Sequence, residues 1–135
     1  MASKKQRIAG WIVSGIITLF LIGPSAAGKF VEWQGKEEAF GKMGFTTDVM
    51  FKIGVLEVVI ALLYFIPRTS FIGAILVTGY LGGATVTHVR VGEPFIVPVI
   101  IGVVAWIGCG LRRPEIFSLA CGSQSTACGS QSTGI

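Results

Sequence analysis

An all-α fold is predicted: an antiparallel four-helix bundle spanning a membrane, with N-in/C-in topology and a short amphipathic segment after helix one. Three observations predict it. Hydrophobic residues make up 52% of the 135 residues and charged residues 13%, whereas a soluble domain shows about 25% charged residues. The missing charge is accounted for if most of the surface faces lipid. Four apolar runs of about 17–20 residues are each long enough to cross a hydrocarbon core of about 30 Å at about 1.5 Å per residue. Three of those runs are joined by short turns, which force neighbouring helices antiparallel.

The first run extends from Ile8 to about Ala27. Gly10, Ser14 and Gly15 within it are small residues that suit close helix packing in lipid. A rival reading takes Lys4–Arg7 as the n-region of a signal peptide, Ile8–Gly23 as its h-region and Ser25-Ala26-Ala27 as the cleavage site. The length of the run and its small residues favour a retained helix. The segment from Lys29 to Thr47 mixes Phe30, Trp33, Phe40 and Met43 with charges. At helical spacing these line one side, which predicts a short amphipathic helix at the outer interface. A solvated loop is the alternative.

The second run goes from about Val49 to Ile66, interrupted by Lys52 and Glu57, and Pro67 stops it. The third goes from Phe71 to about Val89. The fourth goes from about Phe95 to Leu111, opened by Glu93-Pro94. Lys4, Lys5, Arg7, Arg68, Arg112 and Arg113 flank one set of ends and assign them to the cytoplasm. The basic residues form no stripe with interleaved aromatics, so no nucleic-acid partner is expected. The bundle is expected over residues 1–113. Residues 114–135 are expected to be a disordered polar tail carrying ACGSQST twice. Cys121 and Cys128 lack metal-site spacing and Cys109 reads as a packing residue, so no metal site is expected.

Ionisable groups at membrane depth are the candidates for chemistry, because their burial in lipid is costly and usually partnered. Glu57 lies roughly 13 Å from the Pro67 end of its helix, near mid-membrane. It is a candidate proton-handling or ligand-anchoring carboxyl. The competing reading is a buried hydrogen bond that fixes helix register. Thr18, Thr78 and Tyr80 lie at similar depth and are its candidate partners. Gly54, on the same face as Glu57, leaves room for a neighbouring helix or a ligand. His88 and Lys52 lie further out. With Lys29 they are candidates for a polar funnel that has a cationic mouth and a carboxyl floor, suited to an anionic or quinone-like molecule. The competing readings are an interfacial histidine and a lysine reaching to the headgroups. Gly79, Gly82 and Gly83 are assigned to helix packing through the Gly79-xxx-Gly83 spacing. No Walker loop, no HExxH and no strand-linked GxGxxG is present.

Several pieces in order resemble the DoxX-like membrane proteins: Phe40-Gly41-Lys42-Met43-Gly44-Phe45, Ile53-Gly54-Val55-Leu56-Glu57, Ile66-Pro67, and Tyr80-Leu81-Gly82-Gly83-Ala84 through Thr87-His88 to Gly92. The resemblance covers roughly Ile8 to Arg113. It implies a multi-pass protein of the bacterial inner membrane that keeps helix one. It also singles out Lys29, Glu57 and His88 as the family's recurrent polar positions. Relatives are associated with thiosulfate:quinone oxidoreduction and with membrane complexes handling oxidative stress. With no intramembrane cysteine pair or haem-ligand pair, the chain is expected to be an accessory subunit rather than an autonomous enzyme. No resident cofactor is expected, and quinone is the candidate ligand. The expected partners are the lipid bilayer and a homo-oligomer or membrane complex. A structural subunit without a ligand and a small proton-coupled transporter are the alternatives.

Overall fold

The computed structural model describes residues 3–122, and these are all-helical, with no strand among them. Helix α1 runs Lys4–Phe20 and starts at Ser3, whose hydroxyl accepts a hydrogen bond from the Gln6 amide at 3.2 Å. It continues without a break through a π-helical turn, Leu21–Ala26, into α2, Ala27–Phe30. The turn contains Pro24. Proline removes one backbone donor and crowds the carbonyl four residues earlier, and a widened turn relieves that. Together these pieces form one helix, Lys4–Phe30, of 27 residues.

Of the segment expected to form one amphipathic helix, Phe30 ends α2, Trp33 lies in the connection, and α3 takes only Lys36–Met43, bounded by Gly35 at φ 85° and Gly44 at φ 83°. Both positions lie in the left-handed region that favours glycine. Helix α4, Thr47–Phe65, is capped by Thr46, whose hydroxyl accepts from the Val49 amide at 3.3 Å. Helices α5, Ser70–Val91, and α6, Ile96–Arg112, follow after short connections. Lys4–Phe30 and Ser70–Val91 are long and apolar enough to cross a membrane. Helix α6 is apolar but shorter, with 17 residues. Helix α4 carries Asp48, Lys52 and Glu57.

Helix α1 packs on α6, α4 on α5, α5 on α6, and the π turn on α4. Ile17, Leu21, Ala61, Tyr64, Ala74, Val77, Ala105 and Cys109 form the core where they meet. Outward-facing side chains are also apolar: Leu19 is 72% exposed, and Ile16, Ile72 and Ile96 are each about 60% exposed. A soluble monomer rarely shows so continuous an apolar surface.

Close approaches occur at glycines other than those the spacing favoured. A Cβ on Gly73 would collide with the Tyr64 backbone, and one on Gly108 would lie 2.9 Å from the Ser14 hydroxyl oxygen. One on Gly10 would lie 2.7 Å from the Arg112 nitrogen. By contrast, no atom lies within 4 Å of a Cβ built on Gly79, Gly82 or Gly83. Among the described residues those three pack against no helix, because Gly79 and Gly83 border one open cleft and Gly82 another.

Polar latches tie the core together. The Tyr64 hydroxyl donates to the Ala105 carbonyl at 2.7 Å and lies 3.2 Å from the Ser14 hydroxyl. Arg112, 8% exposed, donates to the carbonyls of Tyr64 at 2.8 Å and Phe65 at 3.0 Å. Its guanidinium carbon lies 4.9 Å from the Trp11 ring centre and 5.1 Å from that of Tyr64. Chain order past the bundle differs from a tail that starts at Pro114. Glu115–Ala120 forms a short helix, α7, with Ile116 buried and the Phe117 ring against Gly110. The tandem ACGSQST repeat lies almost wholly outside the described residues.

Candidate functional site

The site begins with spacing on one helix. Ser25 and Lys29 are four residues apart, so across the π turn and α2 they lie on one face. The Lys29 ammonium donates to the Ser25 carbonyl at 2.9 Å, and its Nζ lies 3.4 Å from the Ser25 hydroxyl. It also forms an ion pair with Glu57 Oε2 at 2.6 Å. The Ser25 hydroxyl donates to Glu57 Oε1 at 2.5 Å. Both carboxylate oxygens are therefore engaged. Only 1% of the Glu57 side chain and 11% of the Lys29 side chain are exposed. A buried carboxylate is tolerated when it is paired and hydrogen-bonded in this way.

Gly54 makes the pairing possible. A Cβ there would lie 3.0 Å from the Phe30 ring and 3.2 Å from Lys29 Cβ. Without a side chain at 54, α2 lies directly on α4 and its lysine reaches Glu57. The Phe30 and Phe51 rings, 5.1 Å apart and nearly perpendicular, close the same contact from outside.

Beside the ion pair opens a pocket of about 550 Å³. Ser25, Lys29, Glu57 and Tyr80 form its polar end, and Tyr80 interacts with both Glu57 and Ser25. Its walls are mainly apolar, from Leu21, Ile53 and Leu81 among others. Gly79 and Gly83 supply bare backbone on the α5 side. Trp33, Phe40 and Met43 cover it from the α3 side, with the Trp33 and Phe40 rings edge-to-face at 6.2 Å. The amphipathic segment therefore roofs the pocket.

His88 lines the wall, well separated from the ion pair in the hydrogen-bond pattern. Its Nδ1–H donates to the Ala84 carbonyl at 2.7 Å, and its Nε2 lies 4.0 Å from Glu93. Since a carbonyl only accepts, the proton sits on Nδ1, and in the neutral ring Nε2 is an acceptor.

Of the residues singled out in the sequence, Lys29, Glu57, Tyr80 and His88 come together in this pocket, and Gly54 sits where Lys29 meets α4. Lys52 does not join them. It pairs with Asp48 at 2.8 Å on the outer surface, both side chains more than 70% exposed, because an i,i+4 acid on its own helix is the nearer partner. Thr18 and Thr78 do not serve Glu57 either. Each hydroxyl donates to the carbonyl four residues earlier, Ser14 and Ala74, and the Thr78 hydroxyl also accepts from the Trp106 indole at 2.7 Å. The partner missed was Ser25, which resembled part of a cleavage site. Its four-residue spacing to Lys29 was the available signal.

The mouth is not the cationic funnel expected. Lys29 is neutralised by Glu57, and Lys36 is turned inward, 3% exposed, pairing with Glu32 at 3.1 Å. A free anion gains little from a neutral pair. The walls beside the pair are apolar, and at the polar end the Ser25 hydroxyl hydrogen and two of the Lys29 ammonium hydrogens are already given to Glu57 and the Ser25 carbonyl.

A search of curated proteins and of solved structures finds no match. The model of the DoxX-like family matches residues 12–108, a span that includes Ser25, Lys29, Glu57, Tyr80 and His88, and the chain belongs to that family.

Proposed function

We propose that the protein is a multi-pass protein of the bacterial inner membrane that binds a quinone-like molecule beside the Lys29–Glu57 pair, serving as an accessory subunit in membrane-linked redox or oxidative-stress processes. The bundle is antiparallel, with four spans and both termini cytoplasmic. Lys4, Lys5, Arg7, Arg68, Arg112 and Arg113 at one set of helix ends support that orientation. The observation that carries the ligand reading is the roofed, mainly apolar pocket with all its charge compensated at one end. A protein that only scaffolds has no need of such a space.

Glu57→Gln tests the reading. The amide keeps the shape and removes the charge. Lys29, 11% exposed and on a flexible stem, retains the Ser25 carbonyl and reaches toward solvent, so the fold is expected to survive with a lowered thermal midpoint, which is read alongside binding. The Lys29–Glu57 ion pair, the polar end against which the ligand is proposed to sit, is lost. A short-tailed ubiquinone analogue is expected to bind the purified wild type and to lose about tenfold or more in affinity in the variant, as for a lost hydrogen bond to a charged group. Equal binding to both, or to neither, would remove the ligand reading.

A second reading has its own observation. Gly82, Gly102 and Trp106 line a shallow groove between α5 and α6 that no described residue fills. A stripe of small residues facing outward suits a second helix in lipid. This favours a homo-oligomer or an assembly subunit, and it is compatible with an occupied pocket on the opposite side of α5.

A further inference from the structure

At the end of the molecule remote from the Lys29–Glu57 pair lies a third cleft. Arg7 and Trp11 from α1, Pro67 and Arg68 from the α4–α5 turn, Ser70 at the start of α5, Arg112 to Pro114 at the α6–α7 junction, and Glu115 and Ser118 of α7 line it. Four arginines face one carboxylate there. Glu115 engages Arg113, at 3.7 Å from its Nε, and Arg113 also reaches the Pro67 carbonyl at 3.5 Å. Arg112 is committed to two backbone carbonyls, and its buried Nε has no partner. Arg7 and Arg68 are exposed and, among the described residues, make no side-chain hydrogen bond or ion pair. Among the described residues, nothing occupies their forks.

We infer that this cleft binds the phosphodiester headgroup of an anionic phospholipid, with Arg7 and Arg68 as its principal donors and Trp11 beside it. Guanidinium forks match phosphate oxygens in bidentate geometry. The source of the phosphate is a lipid because the cleft continues into lipid-type surface. Ile8 and Ile12, adjacent on α1, are 51% and 58% exposed, and Trp11 is 37% exposed at the same level, as an interfacial tryptophan would be. Basic pockets between helices on the cytoplasmic side take anionic headgroups. The inference rests on the membrane reading above but not on the quinone pocket.

The full chain is reconstituted into vesicles of phosphatidylcholine, with or without a minority of phosphatidylglycerol. Flotation confirms incorporation, and lipid retained through gentle extraction is read by native mass spectrometry. Phosphatidylglycerol is expected to stay bound in preference to phosphatidylcholine. Each of Arg7→Gln and Arg68→Gln should lower its retention about fivefold, and the pair together about twenty-five-fold. Lys4→Gln/Lys5→Gln removes equal charge from the same end without touching the cleft, and should leave retention near wild type. Glycerol phosphate added to phosphatidylcholine vesicles is expected not to bind. Equal losses from the lysine pair would mean diffuse surface charge and overturn the site. Binding of glycerol phosphate alone would overturn the lipid assignment. A chain that incorporates but retains both lipids alike would overturn the inference while leaving the membrane reading intact. A chain that does not incorporate would overturn both.

Discussion

Replacing Lys29 with methionine is expected to destabilise the protein by about 3–5 kcal/mol, the cost of stranding a buried charge. Methionine keeps the length of the stem but takes away the ammonium, leaving Glu57, 1% exposed, with the Ser25 hydroxyl and no cation at 2.6 Å. The charge responsible is on Glu57, so Lys29→Met/Glu57→Gln should regain most of the loss. If the loss came instead from packing of the lysine stem against Gly54, the second substitution would restore nothing. Thermal midpoints of the detergent-solubilised single and double variants decide between these.

Arg112→Met is expected to cost about 3 kcal/mol. It removes two hydrogen bonds from a charged donor, each a net contribution of about 1.5–3 kcal/mol, and stacking on two aromatic faces, so about 3 kcal/mol is the low end of the expected loss. The carbonyls of Tyr64 and Phe65 that it serves lie at the C-terminal end of α4, where helix carbonyls lack partners of their own. Arg112 is thus a clamp that holds α6 and α1 to the end of α4. Arg112→Lys should recover less than half of the loss, since one ammonium does not reproduce a planar fork reaching two carbonyls and two rings. Full rescue by lysine would show that only charge matters at 112.

These residues also show where the sequence was legible. Hydropathy and length located every long apolar helix among the described residues, since a helix apolar on both its packed and its outward face reads as a long hydrophobic run, and Pro67 follows the end of the second where expected. Glu57 was visible because an acid in an apolar run is costly, and Lys29 because it follows the same run. Their contact was not visible. It depends on the π turn at Pro24 setting the face of Ser25 and Lys29, and on bare backbone at Gly54, and neither effect has a period a sequence reader counts. Arg112 read as a topological marker because an arginine at a span end looks the same whether it is exposed or folded inward. The glycines misled for a related reason. Spacing at i,i+4 identifies a smooth helix surface but not what lies opposite: for Gly73 it is a helix, and for Gly83 it is a pocket.

That last distinction allows the most direct test of the ligand pocket. Gly83 lines the pocket beside the ion pair, and Gly82, its chain neighbour, faces the groove on the other side of α5. Binding of the short-tailed ubiquinone analogue should be measured on wild type, Gly83→Leu and Gly82→Leu, with thermal midpoints alongside. Gly83→Leu is expected to abolish binding while melting close to wild type, and Gly82→Leu to bind as wild type does. Undiminished binding by Gly83→Leu would contradict a ligand in this pocket, and so would equal binding losses in the two variants.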